Sequence, residues 1–426
     1  MKLKKVMATA MVATMAVGMT ACGSSDSKET TKAKSEEATT SAEPKDVTLT
    51  VWGPQEDQAK VKGYDEGILK AMCDKFNEEH PEWNITFKYG VCSEGDAKDV
   101  VTKDLNAAGD VYMFANDQIP TLVNAGALAK LGPTTEEAIK ASNPQSMVDS
   151  VTFNDGIYGV PFTSNTWFMY YDKSKFSEDE VKSLDTMMAK DLGDGVTNVA
   201  FPLTNSWYVE AFYYAAGGSL FGPNGNDAAA GCDWDNEAGV EATKYMVNLK
   251  ANNKFAVDEK GENKAKFKTG KLGAYFSGSW DAAEIKEALR KNFACAQLPT
   301  AKINGTDGQM KSFAGSKCIG VNPNTKNPEV AVALAQYLGS TECQKIRFET
   351  RGIIPTDSSV DVGSDAVAKA QNDAVANSSV VQPMLDEMGS YWTPVETMGK
   401  EIHQGDVTEA NAKAKTEAMV KGILAK

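Results

Sequence analysis

DVYMFANDQ, residues 110–118, is the stretch of the chain from which the fold can be predicted. Its apolar run VYMF has the length and composition of a buried strand. The run ends abruptly at Asn116, Asp117 and Gln118, and open α/β sheets bind ligands at the carboxyl ends of their strands. A plainer interpretation stays open, in which the same residues form a strand followed by a loop that caps a helix.

The chemistry of these three side chains indicates a neutral ligand. An amide both donates and accepts hydrogen bonds and a carboxylate accepts several, so the three suit a polyhydroxyl compound. The formal net charge of −14 argues against a nucleic-acid partner, which needs a basic face. The chain has two histidines and few arginines, which disfavours zinc sites, phosphate capture and nucleophile–His catalysis. We therefore expect no metal and no cofactor.

The segments around this stretch alternate between strand and helix patterns. VTLTVW (47–52) and NITFKY (84–89) read as strands, and residues 63–77 between them have helical apolar spacing. This βαβ unit and the alternation that follows predict a doubly wound α/β lobe. Since 426 residues exceed one ordinary core, we expect two lobes, each a sheet flanked by helices. GIYGVPFTSNTWFMYY (156–171) is predicted to begin as part of a hairpin over residues 154–159 and to continue after Pro161 as one long strand that crosses between the lobes.

The N-terminus has the pattern of a targeting segment. Residues 1–21 begin with lysines and continue as an apolar run that is short for a membrane span. The run ends at Ala21-Cys22-Gly23, which resembles the bacterial lipobox and implies a lipid on Cys22. The alternative is an ordinary secretory signal with an incidental cysteine. Residues 22–46 are rich in Ser, Thr, Glu and Lys, so we expect a flexible tether that holds the protein outside a membrane.

The other six cysteines are widely spaced and fit no zinc motif. Most of them have apolar neighbours, so we expect buried free thiols. They are Cys73, Cys92, Cys232, Cys295, Cys318 and Cys343.

Four of the seven tryptophans lie in predicted turns or directly before one. They are Trp52, Trp207, Trp280 and Trp392. An indole in a polar turn is often exposed, and exposed indoles invite a functional explanation. Sugar rings stack on aromatic faces while their hydroxyls bind polar side chains at the edges, so these residues suit a carbohydrate pocket. For any one of them, lining the edge of a core is the alternative.

Seven collinear segments carry a resemblance to a known family. From residue 47 to the C-terminus, the chain resembles the maltose/maltodextrin-type extracellular solute-binding proteins of ABC transporters. The segments are VTLTVWGPQEDQ, AAGDVYMFANDQIPTLVNAGALAKL, GIYGVPFTSNTWFMYYDKS, AAGGSLFG, GKLGAYFSGSW, CAQLPT and MGSYWTPVETMGKEIHQGDV.

The resemblance implies a two-lobed periplasmic-binding-protein type II fold of the α/β class, joined by hinge crossings. The N-lobe would comprise residues 47–162 plus 314–372, and the C-lobe residues 165–310 plus 376–426. The hinge crossings would lie near Thr163-Ser164, residues 310–315 and residues 370–376.

The resemblance also implies the sugar-binding residues. The polar ligands after the third strand correspond to Asn116 and Asp117, while Gln118 and Phe114 stand where close maltose binders carry Arg and Trp. Asn165 stands where the family carries an acidic ligand, so one carboxylate contact is missing. The aromatic group and its neighbours correspond to Trp207, Tyr208, Trp280, Asp281, Tyr391 and Trp392.

We therefore expect a lipid-anchored, extracytoplasmic, monomeric receptor that delivers malto-oligosaccharides to ABC permease subunits and is not an enzyme. One alternative is a glycoside hydrolase, which needs two carboxyl groups about 5–10 Å apart. The pocket segments offer Asp117, Asp281 and either Glu56 or Glu210, without an evident pair. Another alternative is a binding protein for a different sugar, a polyamine, a peptide or a ferric ion.

Overall fold

The computed structural model describes residues 43–425. The predicted signal peptide, Cys22 and most of the predicted tether therefore lie outside the described residues. The tether was expected to reach residue 46, but the first strand begins at Lys45, because Lys45 and Asp46 already pair with the neighbouring strand. Within the described range, helices long and apolar enough to cross a membrane are absent.

The strands of residues 43–425 are β1 (Lys45–Gly53), β2 (Trp83–Val91), β3 (Val111–Ala115), β4 (Thr152–Phe153), β5 (Gly156–Ile157), β6 (Val160–Asn165), β7 (Trp167–Asp172), β8 (Thr197–Phe201), β9 (Phe255–Val257), β10 (Leu272–Gly278), β11 (Phe293–Ala296), β12 (Thr300–Ile303), β13 (Thr306–Gln309), β14 (Ser312–Val321) and β15 (Ser379–Val381).

The α-helices of the same range are α1 (Gln55–Gln58), α2 (Ile68–Glu79), α3 (Ala97–Val101), α4 (Ile119–Asn124), α5 (Pro133–Ser142), α6 (Gln145–Asp149), α7 (Leu184–Ala189), α8 (Ser206–Ala215), α9 (Glu237–Ala251), α10 (Ala282–Leu289), α11 (Pro328–Leu338), α12 (Thr341–Arg351), α13 (Ala366–Asn377), α14 (Trp392–Gln404) and α15 (Ala412–Ile423).

Two mixed sheets organise these elements, and the predicted two-lobed α/β fold is confirmed. The first sheet has the order β15-β14-β3-β1-β2, with β6 also paired to β14. The second has the order β11-β7-β10-β8-β9. The first sheet packs on one hydrophobic core and the second on two, one on each of its faces. We call the two halves the first and second lobes.

The βαβ unit predicted at the start of the first lobe is present. β1 and β2 pair in parallel over their full length, and α2 connects them. The buried side chains of α2 include Ile68, Leu69, Met72 and Phe76, the spacing of one helix face. Burial of that face against the sheet explains why the periodicity of this segment predicts its structure.

The long strand predicted after Pro161 does cross between the lobes, but it is divided into two strands, one in each sheet. β6 belongs to the first sheet and β7 to the second, with only Thr166 between them. The Thr166 hydroxyl donates to the carbonyl oxygen of Phe313 at 2.8 Å and lies 2.8 Å from the hydroxyl of Ser312. These contacts with β14 fix the point at which the chain passes from one lobe to the other.

β14 is a second passage between the lobes. Its first residues pair with β15, and residues 317–321 pair with β3. Phe313 is buried in the core of the second lobe, whereas Cys318 and Ile319 are buried in the core of the first. One continuous strand therefore contributes side chains to both cores.

The third passage lies earlier than predicted. We expected the first lobe to extend to residue 372 and the crossing to fall at residues 370–376. In the structure, α13 packs on β7 and β11 of the second sheet, with Val367, Ala370 and Ala374 buried there. The chain therefore returns to the second lobe between α12 and α13, over residues 352–365.

A buried ion cluster lies behind the first sheet. Asp57 and Arg347 are both nearly inaccessible to solvent, and Arg347 Nε lies 3.4 Å from Asp57 Oδ2. Arg351 pairs with the other oxygen of Asp57, and the Arg347 guanidinium lies 4.6 Å from the ring centre of Phe162. The cluster fixes the segment after β1 to α12.

The six cysteines within residues 43–425 are free thiols, as predicted. Five are buried and Cys295 is half-buried. Burial raises the pKa of each of these thiols above its usual range.

Candidate ligand-binding site

Directly after β3 the chain forms one 3-10 turn, Asn116–Gln118, which leads into α4. Gln118 is buried, and both ends of its amide bind main-chain groups. Its Oε1 accepts from the N–H of Lys98 at 2.7 Å, and its Nε2 donates to the carbonyl oxygens of Glu94 and Gly95 at 2.9 and 2.8 Å. Gln118 therefore secures the loop that precedes α3, and its amide does not face a ligand.

Asn116 is also turned inward. Only 4% of its surface is exposed. Its Oδ1 accepts from the N–H of Ser316 at 2.8 Å, and its Nδ2 lies 3.6 Å from the sulfur of Met384. Both polar ends of Asn116 thus contact other segments of the protein.

Asp117, unlike its buried neighbours Asn116 and Gln118, is exposed to solvent. Among the described residues, no side chain or main-chain group from elsewhere in the chain binds its carboxylate. The surrounding protein nevertheless excludes enough water to raise the pKa of Asp117, while its own backbone N–H and the charge of Lys98 act in the opposite direction. A carboxylate that solvent can reach but that protein largely surrounds lies in a recess, where a ligand hydroxyl could reach it.

Phe114 and Asn165 differ in accessibility. The Phe114 ring is fully buried in the core of the first lobe, 5.9 Å from the ring of Tyr112. The prediction that Phe114 is a sugar-binding residue is therefore wrong. Residues 111–114 of β3 are all buried, so the ring presents no surface to a ligand. Asn165 is half-buried at the end of β6, where it pairs with Gly315 of β14.

Two indoles face each other in the second lobe. Trp207 lies in the first turn of α8, whose N-terminus is capped by Asn205 Oδ1 at 2.9 Å from the Trp207 N–H. Its ring centre is 6.0 Å from that of Trp280, with 33° between the planes. Trp280 is 53% exposed, whereas Trp207 is half-buried. Tyr208 is buried and meets the Trp207 ring edge-on at 5.7 Å, so it supports the pair from inside.

The turn after β10 holds Trp280 in place. A Cβ at Gly278 would lie 2.0 Å from Cζ3 of Trp280, so the indole rests directly on the backbone of that glycine. Asp281 is bound on both oxygens, by Lys264 Nζ at 2.6 Å and by the Ser277 hydroxyl at 2.6 Å. Asp281 therefore stabilises the turn that carries the exposed indole.

Tyr391 and Trp392 begin α14. Tyr391 is fully buried, and its hydroxyl donates to the carbonyl oxygen of Ser206 at 2.9 Å. Trp392 is half-buried and meets the rings of Tyr391 and Phe313 nearly edge-on, at 5.0 and 6.4 Å. Tyr391 thus links α14 to α8, and Trp392 is the member of the two that keeps an accessible face.

Gln382 belongs to this group but was not predicted. Its Oε1 accepts from the indole N–H of Trp207 at 3.1 Å, and its backbone N–H donates to the carbonyl oxygen of Ala314 at 2.9 Å. The sequence around it, VVQPM, carries no local pattern that distinguishes a site from a loop. Only the folded chain brings Gln382 to Trp207.

Three of the predicted residues, together with Gln382, contact four successive residues of β14. Phe313 contacts Trp392, Ala314 binds Gln382, Gly315 pairs with Asn165, and Ser316 binds Asn116. Because a strand advances about 3.3 Å per residue, these contacts fall within roughly 10 Å. Direct contact between Asp117 and the two indoles is not observed within residues 43–425.

Cavity volume alone does not identify this site. A cavity of about 690 Å³ lies between β11 and α13, and none of the predicted sugar-binding residues lines it. Within the described part of the chain, groups of three or more His, Cys, Asp or Glu side chains that could hold a metal ion are absent.

Two α/β lobes joined by crossing strands, with polar and aromatic side chains gathered at the crossing, define a solute-binding protein. The chain belongs to the bacterial extracellular solute-binding protein family, whose sequence model matches residues 71–375.

The curated relatives include proteins named for oligosaccharides. The chain is 26% identical over 440 residues to the galactooligosaccharide-binding protein of Bacillus subtilis (strain 168), covering 98% of this chain and 97% of the relative. It is 25% identical over 421 residues to the maltooligosaccharide ABC transporter solute-binding lipoprotein of Streptococcus pneumoniae serotype 4, covering 93% and 91%.

The similar solved structures include one determined with acarbose and one of a maltodextrin-binding protein. One structure, determined with acarbose, is 46% identical and has a TM-score of 0.78, covering 88% of this chain and 98% of that one. The maltodextrin-binding protein MalE1 of L. casei BL23, determined without ligand, is 28% identical with a TM-score of 0.79, covering 89% and 99%.

Proposed function

We propose that this protein binds malto-oligosaccharides between its two lobes and delivers them to the permease of an ABC transporter. The observation that carries the proposal is that Trp392, Gln382 and Asn165 contact residues 313–315 of β14, and that Gln382 also binds the indole of Trp207. Stacking faces and hydrogen-bonding edges at one crossing strand are what a neutral sugar requires.

In this proposal Trp280 and Trp207 stack on glucose rings, and Asp117 accepts hydrogen bonds from sugar hydroxyls. Asp117 belongs to the first lobe and the indoles to the second, so one ligand would contact both. Closure of the lobes follows if the ligand binds the closed form more tightly than the open form. The strand passages at Thr166 and at residues 312–316 would absorb the rotation.

The comparisons support the choice of ligand. The S. pneumoniae relative is named for maltooligosaccharides, and the 46% identical structure was determined with acarbose. The B. subtilis relative is named for galactooligosaccharides, which makes these sugars the second candidate. The two candidates share the same stacking chemistry and differ in the orientation of their hydroxyl groups.

We further propose that a lipid on Cys22 and the tether between Cys22 and the first strand hold the protein, as a monomer, at the outer face of the cell membrane. The Ala21-Cys22-Gly23 match to the lipobox supports this anchor, as does the name of the S. pneumoniae relative, a lipoprotein. Incorporation of labelled palmitate into wild-type protein but not into a Cys22→Ala variant is the expected result.

We propose that the protein does not cleave its ligand. Two of the candidate carboxyl groups are not available to a ligand: Lys264 and Ser277 bind the oxygens of Asp281, and Glu210 is fully buried on the inward face of α8. Asp117 and Glu56 are the exposed carboxylates among the four candidates. Incubation with maltotriose followed by chromatography should return intact maltotriose, and released glucose or maltose would overturn this proposal.

The first test of the ligand is a thermal-shift panel of the purified protein with maltose, maltotriose, maltotetraose, galactobiose, galactotriose and spermidine. We expect the malto-oligosaccharides to raise the melting temperature and titration calorimetry with maltotriose to give saturable binding. A shift with the galacto-oligosaccharides alone would select the second candidate. A shift with spermidine alone would reject a sugar ligand.

A further inference from the structure

We propose that Asn116 is a positioning residue that holds Asp117 against the crossing strand β14, and not a direct sugar ligand. This inference rests on the proposed function, because it assigns to Asn116 a role in the binding carried out by its neighbour Asp117. Three observations on the structure support it.

The first observation is that the Asn116 side chain extends the sheet. β3 and β14 run antiparallel, and the pair of residues nearest the end of β3 is Ala115 and Lys317. Beyond Ala115 the main chain of β3 leaves the sheet in a 3-10 turn. The Asn116 Oδ1 then accepts from the next N–H along β14, that of Ser316, at 2.8 Å. A side-chain oxygen thus takes the place that a main-chain carbonyl would occupy in a longer strand.

The second observation concerns the residue beside this contact. A Cβ at position 315 would lie 2.3 Å from the Asn116 Oδ1, so the hydrogen bond requires glycine there. Gly315 pairs with Asn165 of β6, and two residues earlier Phe313 enters the second core. The Asn116–Ser316 hydrogen bond is therefore formed where β14 leaves the first lobe.

The third observation is that other segments meet at the same point. The Ser316 hydroxyl lies 2.6 Å from that of Ser150, and both serines are fully buried. The Asn116 Nδ2 lies 3.6 Å from the Met384 sulfur. Since Asp117 is the next residue, the position of its carboxylate relative to β14 depends on this group of contacts.

The test is hydrogen exchange of the Ser316 amide in the full-length, ligand-free protein, together with calorimetric titration of maltotriose. In Asn116→Ala the Ser316 amide should exchange about fivefold faster, the factor that corresponds to a hydrogen bond of about 1 kcal/mol. Maltotriose affinity should fall by a similar factor. Asn116→Asp keeps an acceptor oxygen and should restore slow exchange.

Two further variants separate positioning from direct binding. Asp117→Ala should weaken maltotriose binding and leave the exchange of Ser316 unchanged. Gly315→Ala should accelerate exchange of the Ser316 amide, because its methyl group displaces the Asn116 oxygen. If Asn116→Ala does not fold, this variant tests the Asn116–Ser316 hydrogen bond in its place. Unchanged exchange at Ser316 in both Asn116→Ala and Gly315→Ala would overturn the inference. The exchange rate of the Ser316 amide is measured without ligand. If the wild-type protein binds no maltotriose, the proposed function is rejected, but the exchange rates still test whether Asn116 binds Ser316.

Discussion

The indoles of Trp207 and Trp280 lie 6.0 Å apart although they come from different elements, the first turn of α8 and the turn after β10. Each is supported from behind by a different partner. Gln382 binds the nitrogen of Trp207, and the backbone of Gly278 supports the ring of Trp280. The pair therefore forms one prearranged aromatic surface, which a ligand can use without first ordering it.

Removal of the exposed indole should weaken sugar binding more than any other single change. Trp280→Ala is expected to raise the Kd for maltotriose by about 30-fold or more, in the range of roughly 2 kcal/mol found for aromatic anchors. Titration calorimetry measures this effect. Leu424→Ala is the matched control, because Leu424 is another exposed large apolar side chain, 46% accessible, without a proposed role. Equal affinity in Trp280→Ala and wild type would remove Trp280 from the site.

The glycine beneath Trp280 should be nearly as important as the indole itself. In Gly278→Ala the new methyl group would lie 2.0 Å from the ring, so the indole must leave its present position beside Trp207. We expect maltotriose affinity to fall about tenfold and the tryptophan fluorescence of the ligand-free protein to change. Gly132→Ala is the control, because a Cβ at residue 132 meets no atom within 4 Å. An unaltered spectrum and Kd in Gly278→Ala would show that the ring position does not matter.

Gln382 should act through Trp207. Gln382→Ala removes the acceptor of the indole N–H and is expected to reduce maltotriose affinity about fivefold, the typical worth of one such hydrogen bond. Gln382→Glu keeps an acceptor oxygen and should bind maltotriose as wild type does. The comparison of both variants by calorimetry checks the role, and equal losses in the two would instead indicate a direct contact of the amide nitrogen with sugar.

Sugar binding should depend on the protonation of Asp117. The ionised carboxylate accepts hydroxyl hydrogen bonds more strongly than the protonated carboxyl group, so affinity should fall as the pH falls through the pKa of Asp117. Because loss of surrounding water raises the pKa of Asp117, the decline should begin at a higher pH than for an ordinary aspartate, whose pKa is about 3.9. Maltotriose titrations across acidic pH test this. Asp117→Asn should show a flat profile, and a decline that persists in that variant would assign the effect elsewhere.

Folding stability should fall with rising pH because of Glu210. This side chain is fully buried; its Oε1 accepts from the N–H of Phe313 at 3.2 Å, and Oε2 has no partner among residues 43–425. Burial raises the pKa of Glu210 well above its usual range, against the hydrogen bonds that it accepts. The titratable groups that interact with it are the phenols of Tyr208, Tyr214 and Tyr391, which stay neutral because burial raises their pKa as well.

The sign follows from where the proton is bound. The folded state holds the Glu210 proton more tightly than the unfolded state, whose glutamate pKa is about 4.3. The stabilising contribution is complete below that pH and is lost as the pH rises towards the folded-state pKa. Urea unfolding at several pH values should show this decline in the wild type and a flatter profile in Glu210→Gln. Identical pH dependence in the two proteins would contradict the assignment.

The spacing of apolar residues in the sequence was sufficient to predict those helices and strands whose burial follows that spacing. The apolar face of α2 and the run VYMF of β3 predicted their structure because burial follows the same periodicity. The segment after Pro161 was predicted as one strand because nothing in its own sequence marks Thr166 as a break. That break depends on the contact with Phe313, from a distant part of the chain. α14 was missed because glycine and proline near its start favour a turn, although Pro394 lies in the first turn of the helix, where proline is tolerated.

The candidate site was predicted only in part, because some of its side chains bind groups from distant parts of the chain. Trp280 stands in a turn and is exposed, as its polar neighbours indicated. Asn116 and Gln118 have the same chemistry as sugar ligands, but their amides bind Ser316 and Lys98 instead. Sequence alone cannot distinguish an amide that binds a ligand from one that binds the main chain, because both need the same donor and acceptor.

A single strand that contributes Phe313 to one core and Cys318 to the other has a consequence for folding itself. Neither half retains a complete interior once β14 is removed, so a fragment containing one lobe would leave apolar surface unmatched. Loss of packing in one half should propagate to the other through the shared backbone, and the protein should melt in one transition. The strand at which a solute would be captured is also the one that joins the two halves into a single cooperative unit.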